Sequence, residues 1–172
     1  MVDHEQRECL ADAVHALAAG MITNDAFPEL LRSGGIRFLD YPWRYRDAAL
    51  GPIIEHAWCL YHEDYEYKLA GRHRLTAERR HEVLRWVLFL RSELEYEWPR
   101  FRFINPALAS LDGCLLSLLT FGILPCLRQS REFKKWQQSG DFSVWPFVRR
   151  SDYDAVRREF CPFARLLTTG IG

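Results

Sequence analysis

Residues 108–126 carry a single charge, Asp112, and are flanked by Arg100 and Arg102 on one side and Arg128 and Arg131 on the other. A helix with no polar face must be covered on all sides, by protein or by lipid. The run is just long enough to span a bilayer. Against that reading, Asp112 would lie in the hydrocarbon, Ser117, Thr120 and Gly122 interrupt the run, and Pro125 closes it. A central core helix over 107–127 fits these residues better, with Asp112 near its N-terminal end, where the helix dipole favours a carboxylate. An oligomer interface is the other alternative to membrane contact.

A central helix needs amphipathic neighbours, and the rest of the chain has them. Leu10, Ala13, Val14, Leu17, Ala18 and Met21 recur at helical spacing, which predicts a helix over 4–19 with Asp3 as N-cap and Gly20 as its stop. Asn24 is placed to cap a short helix through Leu31, with Pro28 early enough to be tolerated. A long helix is expected over 47–65, facing inward through Leu50, Ile53, Ile54, Ala57, Leu60 and Tyr61. Thr76 caps a further one, to about Ser92, with Val83, Leu84, Val87, Leu88 and Leu90 inward.

The period then changes. Glu93, Glu95 and Glu97 alternate with Leu94, Tyr96 and Trp98, and Arg100 and Arg102 with Phe101 and Phe103. Strict alternation predicts extended chain with one buried face, and Pro99 between the runs suits an edge. A basic helix over 130–138, an extended piece over 142–148 and a last helix opened by Ser151 and Asp154 as a capping-box variant complete the pattern. The expected fold is therefore mainly α. It is a single-domain helical bundle over 1–172 around the central apolar helix 107–127, with a minor extended or β arm near 93–104 and 142–148.

Composition narrows the function classes. The chain has 172 residues, 48% of them apolar and 27% charged, which excludes a disordered or low-complexity chain. The 23 basic and 23 acidic residues cancel, so no overall basic balance argues for nucleic acid. The charge is nevertheless segregated: residues 1–31 hold one basic and six acidic side chains, residues 128–172 nine basic and five acidic. Packing of the acidic first helix beside the basic C-terminal region would satisfy this asymmetry internally. The five cysteines are odd in number and widely spaced, and the N-terminus has no signal-like apolar run. Reduced thiols in a cytoplasmic protein follow.

Catalytic signatures are missing. Gly34-Gly35 lacks the residues of a P-loop or a dinucleotide fingerprint, there is no GxSxG elbow, and His81-Glu82 lacks the second histidine of a zinc-protease helix. Glu78 with His81, and Asp12 with His15, have the Glu-x-x-His-like spacing of carboxylate-bridged metal bundles, but both pairs point away from the apolar faces of their helices. The metal candidates that remain are His56, Cys59 and Glu63, at i, i+3 and i+7 on one predicted helix. With the carboxylates at 55–66 and 93–97 they define the alternative function, a metal-binding or hydrolytic enzyme.

Residues 17–27 (LAAGMITNDAF), 89–99 (FLRSELEYEWP), 145–147 (WPF) and 149–153 (RRSDY) resemble segments of an uncharacterised family of small bacterial proteins of unknown function. The resemblance implies a bacterial, cytosolic source and transfers no functional residue. The leading expectation is a non-enzymatic protein-interaction module of the adaptor, inhibitor or immunity type, with no cofactor. Its partner would be another protein, with neither nucleic acid nor membrane involved and a homodimer left open. Tyr, Trp and Arg are the side chains favoured in binding hot spots, which makes Trp43, Trp98, Trp145, Arg149 and Arg150 the interaction candidates. Trp98 and Trp145, set beside Pro99 and Pro146, are also expected to pack into the core.

Overall fold

The computed structural model describes residues 1–36, 45–99 and 133–160. The segment 107–127, residues 100–104 and Trp43 lie outside the described residues. Within them the chain forms α1 (His4–Ala18), α2 (Ala26–Ser33), α3 (Leu50–Trp58), α4 (Ala77–Leu90) and α5 (Arg150–Glu159). Further helical residues occur at 133–137, and 3-10 turns at Gly71–His73 and Phe142–Val144. The architecture is a helical bundle in which α1 packs on α4, α2 and α3, and α4 also meets α5.

The caps follow local chemistry. Asp3 accepts the Gln6 amide and Thr76 the Arg79 amide, each satisfying one of the donors that a helix start leaves unpaired. Gly20, at φ 68°, turns the chain out of α1, and a Cβ there would meet the Ala70 Cβ at 3.0 Å. Glycine is needed at this position for both its conformation and its size. The apolar stripes of α1, α3 and α4 merge into one buried cluster that also takes in Trp98, Trp136, Trp145 and Phe147. Every inward residue expected of the 47–65 segment is buried.

Several expectations are corrected. Met21 is exposed, because the chain has left α1 by then. In α4, Trp86 and Phe89 are buried, whereas Leu84 is only half-buried. Asn24 does not cap α2: the Thr23 hydroxyl accepts the Ala26 amide instead. The third helix stops at Trp58, not near Tyr65. Glu63, Asp64 and Glu66 follow its end, where negative charge opposes the helix dipole, and the last carbonyls of that stretch are engaged elsewhere.

No strand forms among the described residues. An isolated antiparallel bridge joins Thr23 and Lys68. In 93–98 the alternation survives as burial rather than as a ladder, with Leu94, Tyr96 and Trp98 turned inward and the glutamates exposed. The outward glutamates pair with other elements: Glu93 with His4 (3.3 Å), Glu95 with the Met1 amine (3.1 Å) and Glu97 with Arg149 (3.0 Å). The piece at 142–148 is a 3-10 turn followed by a loop closed by the Asp141 amide on the Val148 carbonyl. Ser151 lies inside α5 and Arg149 occupies its N-cap, so no capping box forms. The acidic face of α1 is answered by Arg91, next to α4, which bonds Asp12 at 2.7 Å and reaches Glu8 at 3.6 Å.

Candidate functional site

The early end of α3 to the start of α4 carries most of the unspent chemistry. His56 sits on α3 with its Nδ1 at 2.8 Å from the Pro52 carbonyl, and its ring lies 4.3 Å from that of Trp145 and 6.0 Å from that of Trp86. Burial lowers the His56 pKa, so the imidazole is neutral at pH 7. Cys59 is exposed, its thiol donating to the Glu55 carbonyl, and Glu63 is exposed beyond the helix end. Because α3 ends at Trp58, the i, i+7 relation that would set His56 and Glu63 on one face does not exist. Among the described residues no group of three or more His, Cys, Asp or Glu is placed to hold a metal ion.

The two parts of the enzymatic alternative come together around Trp145, which lies against His56 on one side and Tyr96 on the other. Its indole N–H donates to the Tyr96 hydroxyl at 3.3 Å, and its carbonyl accepts from Arg85 at 3.3 Å. Burial raises Glu55, and burial followed by the Glu55 charge raises Tyr96. Glu93, Glu95 and Glu97 point away from this cluster into ion pairs.

Trp98 and Trp145 are each 3% exposed, so neither is available as a surface anchor; the Trp98 indole donates to the Phe147 carbonyl. Arg149 and Arg150 are exposed but committed, Arg149 to Glu97 and Asp152, Arg150 to Asp141 and the Ser143 hydroxyl. The tryptophan–proline pairing that marked these residues reports packing.

The residue that sequence reasoning missed is Asn24. Buried, it donates through Nδ2 to the carbonyls of His62 (3.0 Å) and Tyr65 (2.9 Å), and its Oδ1 accepts the Tyr67 amide at 2.7 Å. Its own amide bonds the Tyr67 carbonyl at 3.0 Å. The Tyr67 hydroxyl accepts the His62 amide, and Thr23 donates to Glu66. Residues 62–67 are thus held from inside by one amide side chain. The clamp presents Tyr65, 52% exposed, against Tyr67 (rings 5.1 Å apart), and Tyr67 against His73 of the following 3-10 turn (4.6 Å). Trp58 is partly exposed at the end of α3. An Asn followed at a distance by a Gly-free, aromatic and acidic loop carries no local signature, because the bonds it makes lie about forty residues away.

No protein family, curated protein or solved structure matches this chain. Among the described residues no helix is long and apolar enough to cross a membrane.

Proposed function

We propose that the protein is a non-enzymatic protein-interaction module of the adaptor, inhibitor or immunity type, and that residues 58–74 form its contact surface. The Asn24 clamp carries this reading. A loop whose backbone is hydrogen-bonded from the core loses little freedom on binding, which is the main cost that preorganised contact surfaces avoid. Tyr and Trp on such a loop supply large contact area with few rotatable bonds. The partner in this reading is a protein, and the setting is the bacterial cytoplasm.

A photo-reactive phenylalanine analogue at position 65 tests it, with the same group at the exposed Asp154 as control. Irradiation in cells is expected to give a discrete protein adduct from position 65 and none from 154. The absence of an adduct at 65, or equal capture at both positions, overturns the reading. Stoichiometric metal in the purified protein would instead favour the enzymatic alternative at residues 55–66.

A further inference from the structure

We infer that the 58–74 surface binds a second copy of this chain, as a two-fold dimer; the inference rests on reading that surface as the contact face. Six formal charges surround its rings. Glu63, Asp64 and Glu66 flank Tyr65, while Lys68, Arg72 and Arg74 lie beside Tyr67 and His73. None of the six forms an ion pair with a described residue, although Thr23 donates to Glu66 and the Arg72 Nε donates to the His73 Nε2 at 3.0 Å. Along the chain the charge changes sign between Glu66 and Lys68, and the Tyr65 and His73 rings, one in each charged stretch, are 6.1 Å apart.

A two-fold interface presents the same patch on both subunits and must be complementary to itself. A patch of one sign would repel its own copy. This one does not: rotation about an axis between the Tyr65 and His73 rings lays the acidic half of one subunit on the basic half of the other and sets Tyr65 of each copy toward His73 of the other. A net charge of zero adds no long-range repulsion between copies. The electrostatic part acts between solvated groups, so it weakens as the screening length falls from about 10 Å at 0.1 M salt to about 3 Å at 1 M.

Sedimentation equilibrium on the purified full chain decides. The wild type is expected to be dimeric at low salt. Glu63→Arg with Asp64→Arg leaves Glu66 as the one acidic group of the six, and Arg72→Glu with Arg74→Glu leaves Lys68 as the one basic group. Each pair should weaken the dimer by about 100-fold, as expected for like charges facing across an interface. An equimolar mixture of the two variants should associate again. All four positions are exposed, and circular dichroism verifies that the variants keep their helices. A monomeric wild type overturns the inference, as does a dimer indifferent to both reversals or a mixture that fails to associate. A monomer whose position-65 probe still captures a different protein overturns self-association and leaves the interaction reading standing.

Discussion

Arg7 stands where the helical repeat of α1 calls for an apolar side chain, on the face of Leu10, Ala11 and Val14, and it is buried there. Its guanidinium pairs with Asp47, donates to the Ser92 and Leu94 carbonyls at 3.1 and 2.8 Å, and lies 5.2 Å from the Phe89 ring. Asp47 also accepts the amides of Asp3 and Ala49. A charge pair buried and hydrogen-bonded in this way is costly to break from one side, because the remaining partner is left uncompensated. Arg7→Ala or Asp47→Ala should each cost about 3–5 kcal/mol, and the double variant should cost less than the sum, as a thermal-denaturation cycle would show. Burial alone would raise the Asp47 carboxyl, but the hydrogen bonds from Arg7, Ala49 and Asp3, with the Arg7 charge, outweigh it and hold the group below its ordinary value. A depressed carboxylate stabilises the fold above its unfolded value of about 4 and loses that contribution as pH falls through the folded value. Acid titration of stability should show this loss in the wild type and not in Asp47→Asn. His56 works in the opposite chemical sense with a similar outcome. Its pKa is lowered by burial, so the unfolded chain takes up the proton first, and stability falls as pH drops below about 6.5. Melting temperatures between pH 8 and 5.5 should fall less steeply in His56→Gln; an unchanged slope would refute the assignment.

At the scale of elements, the clamp and the strap behave differently. Asn24→Ala removes three side-chain hydrogen bonds and strands two carbonyls and an amide, for a loss of about 2–4 kcal/mol. Amide exchange should accelerate over 62–67 before it does in α1 or α4, and equal protection in the variant would show that the loop is held by something else. The strap at 93–98 is held on its outer side by exposed ion pairs, each worth little and screened by salt. Its inner side holds through Tyr96 and Trp98. Glu97→Gln should therefore shift the melting temperature very little, whereas Trp98→Ala should cost about 3–5 kcal/mol. The helix spans of α1 and α4 were legible in the sequence because caps and apolar spacing act within a few residues. The end of α3 was not, because it depends on Asn24 reaching across from the turn before α2.

At the level of the molecule, the tryptophans among the described residues divide into a core set and a surface set. Trp86, Trp98, Trp136 and Trp145 are buried; Trp86 meets Trp145 edge-on, Trp98 meets Trp136 at a tilt, and Trp98 and Trp136 meet Phe142 edge-on, while Trp58 is partly exposed. Iodide should leave most tryptophan fluorescence unquenched, and Trp58→Phe should remove much of the fraction that is quenched. Quenching of the majority would contradict this packing.

The mainly helical class, the caps at Asp3 and Thr76, the stop at Gly20, the inward face of α3 and most of the inward faces of α1 and α4 could be read from the sequence alone. Those features rest on contacts within one turn or one repeat, and local spacing encodes them. The burial of Trp98 and Trp145, expected from their prolines, holds as well. Only the tertiary structure decided that the alternating glutamates form a pinned strap instead of a β edge, and that Arg7 has a buried partner forty residues away. The same holds for the candidate site. His56, Cys59 and Glu63 share a face only on a helix that continues past Trp58, whereas Tyr65, Tyr67 and His73 come together because a buried amide bonds a distant loop. Alternation and amphipathic spacing say that one side of a segment is covered; they do not say by what, since the covering group arrives from elsewhere in the chain.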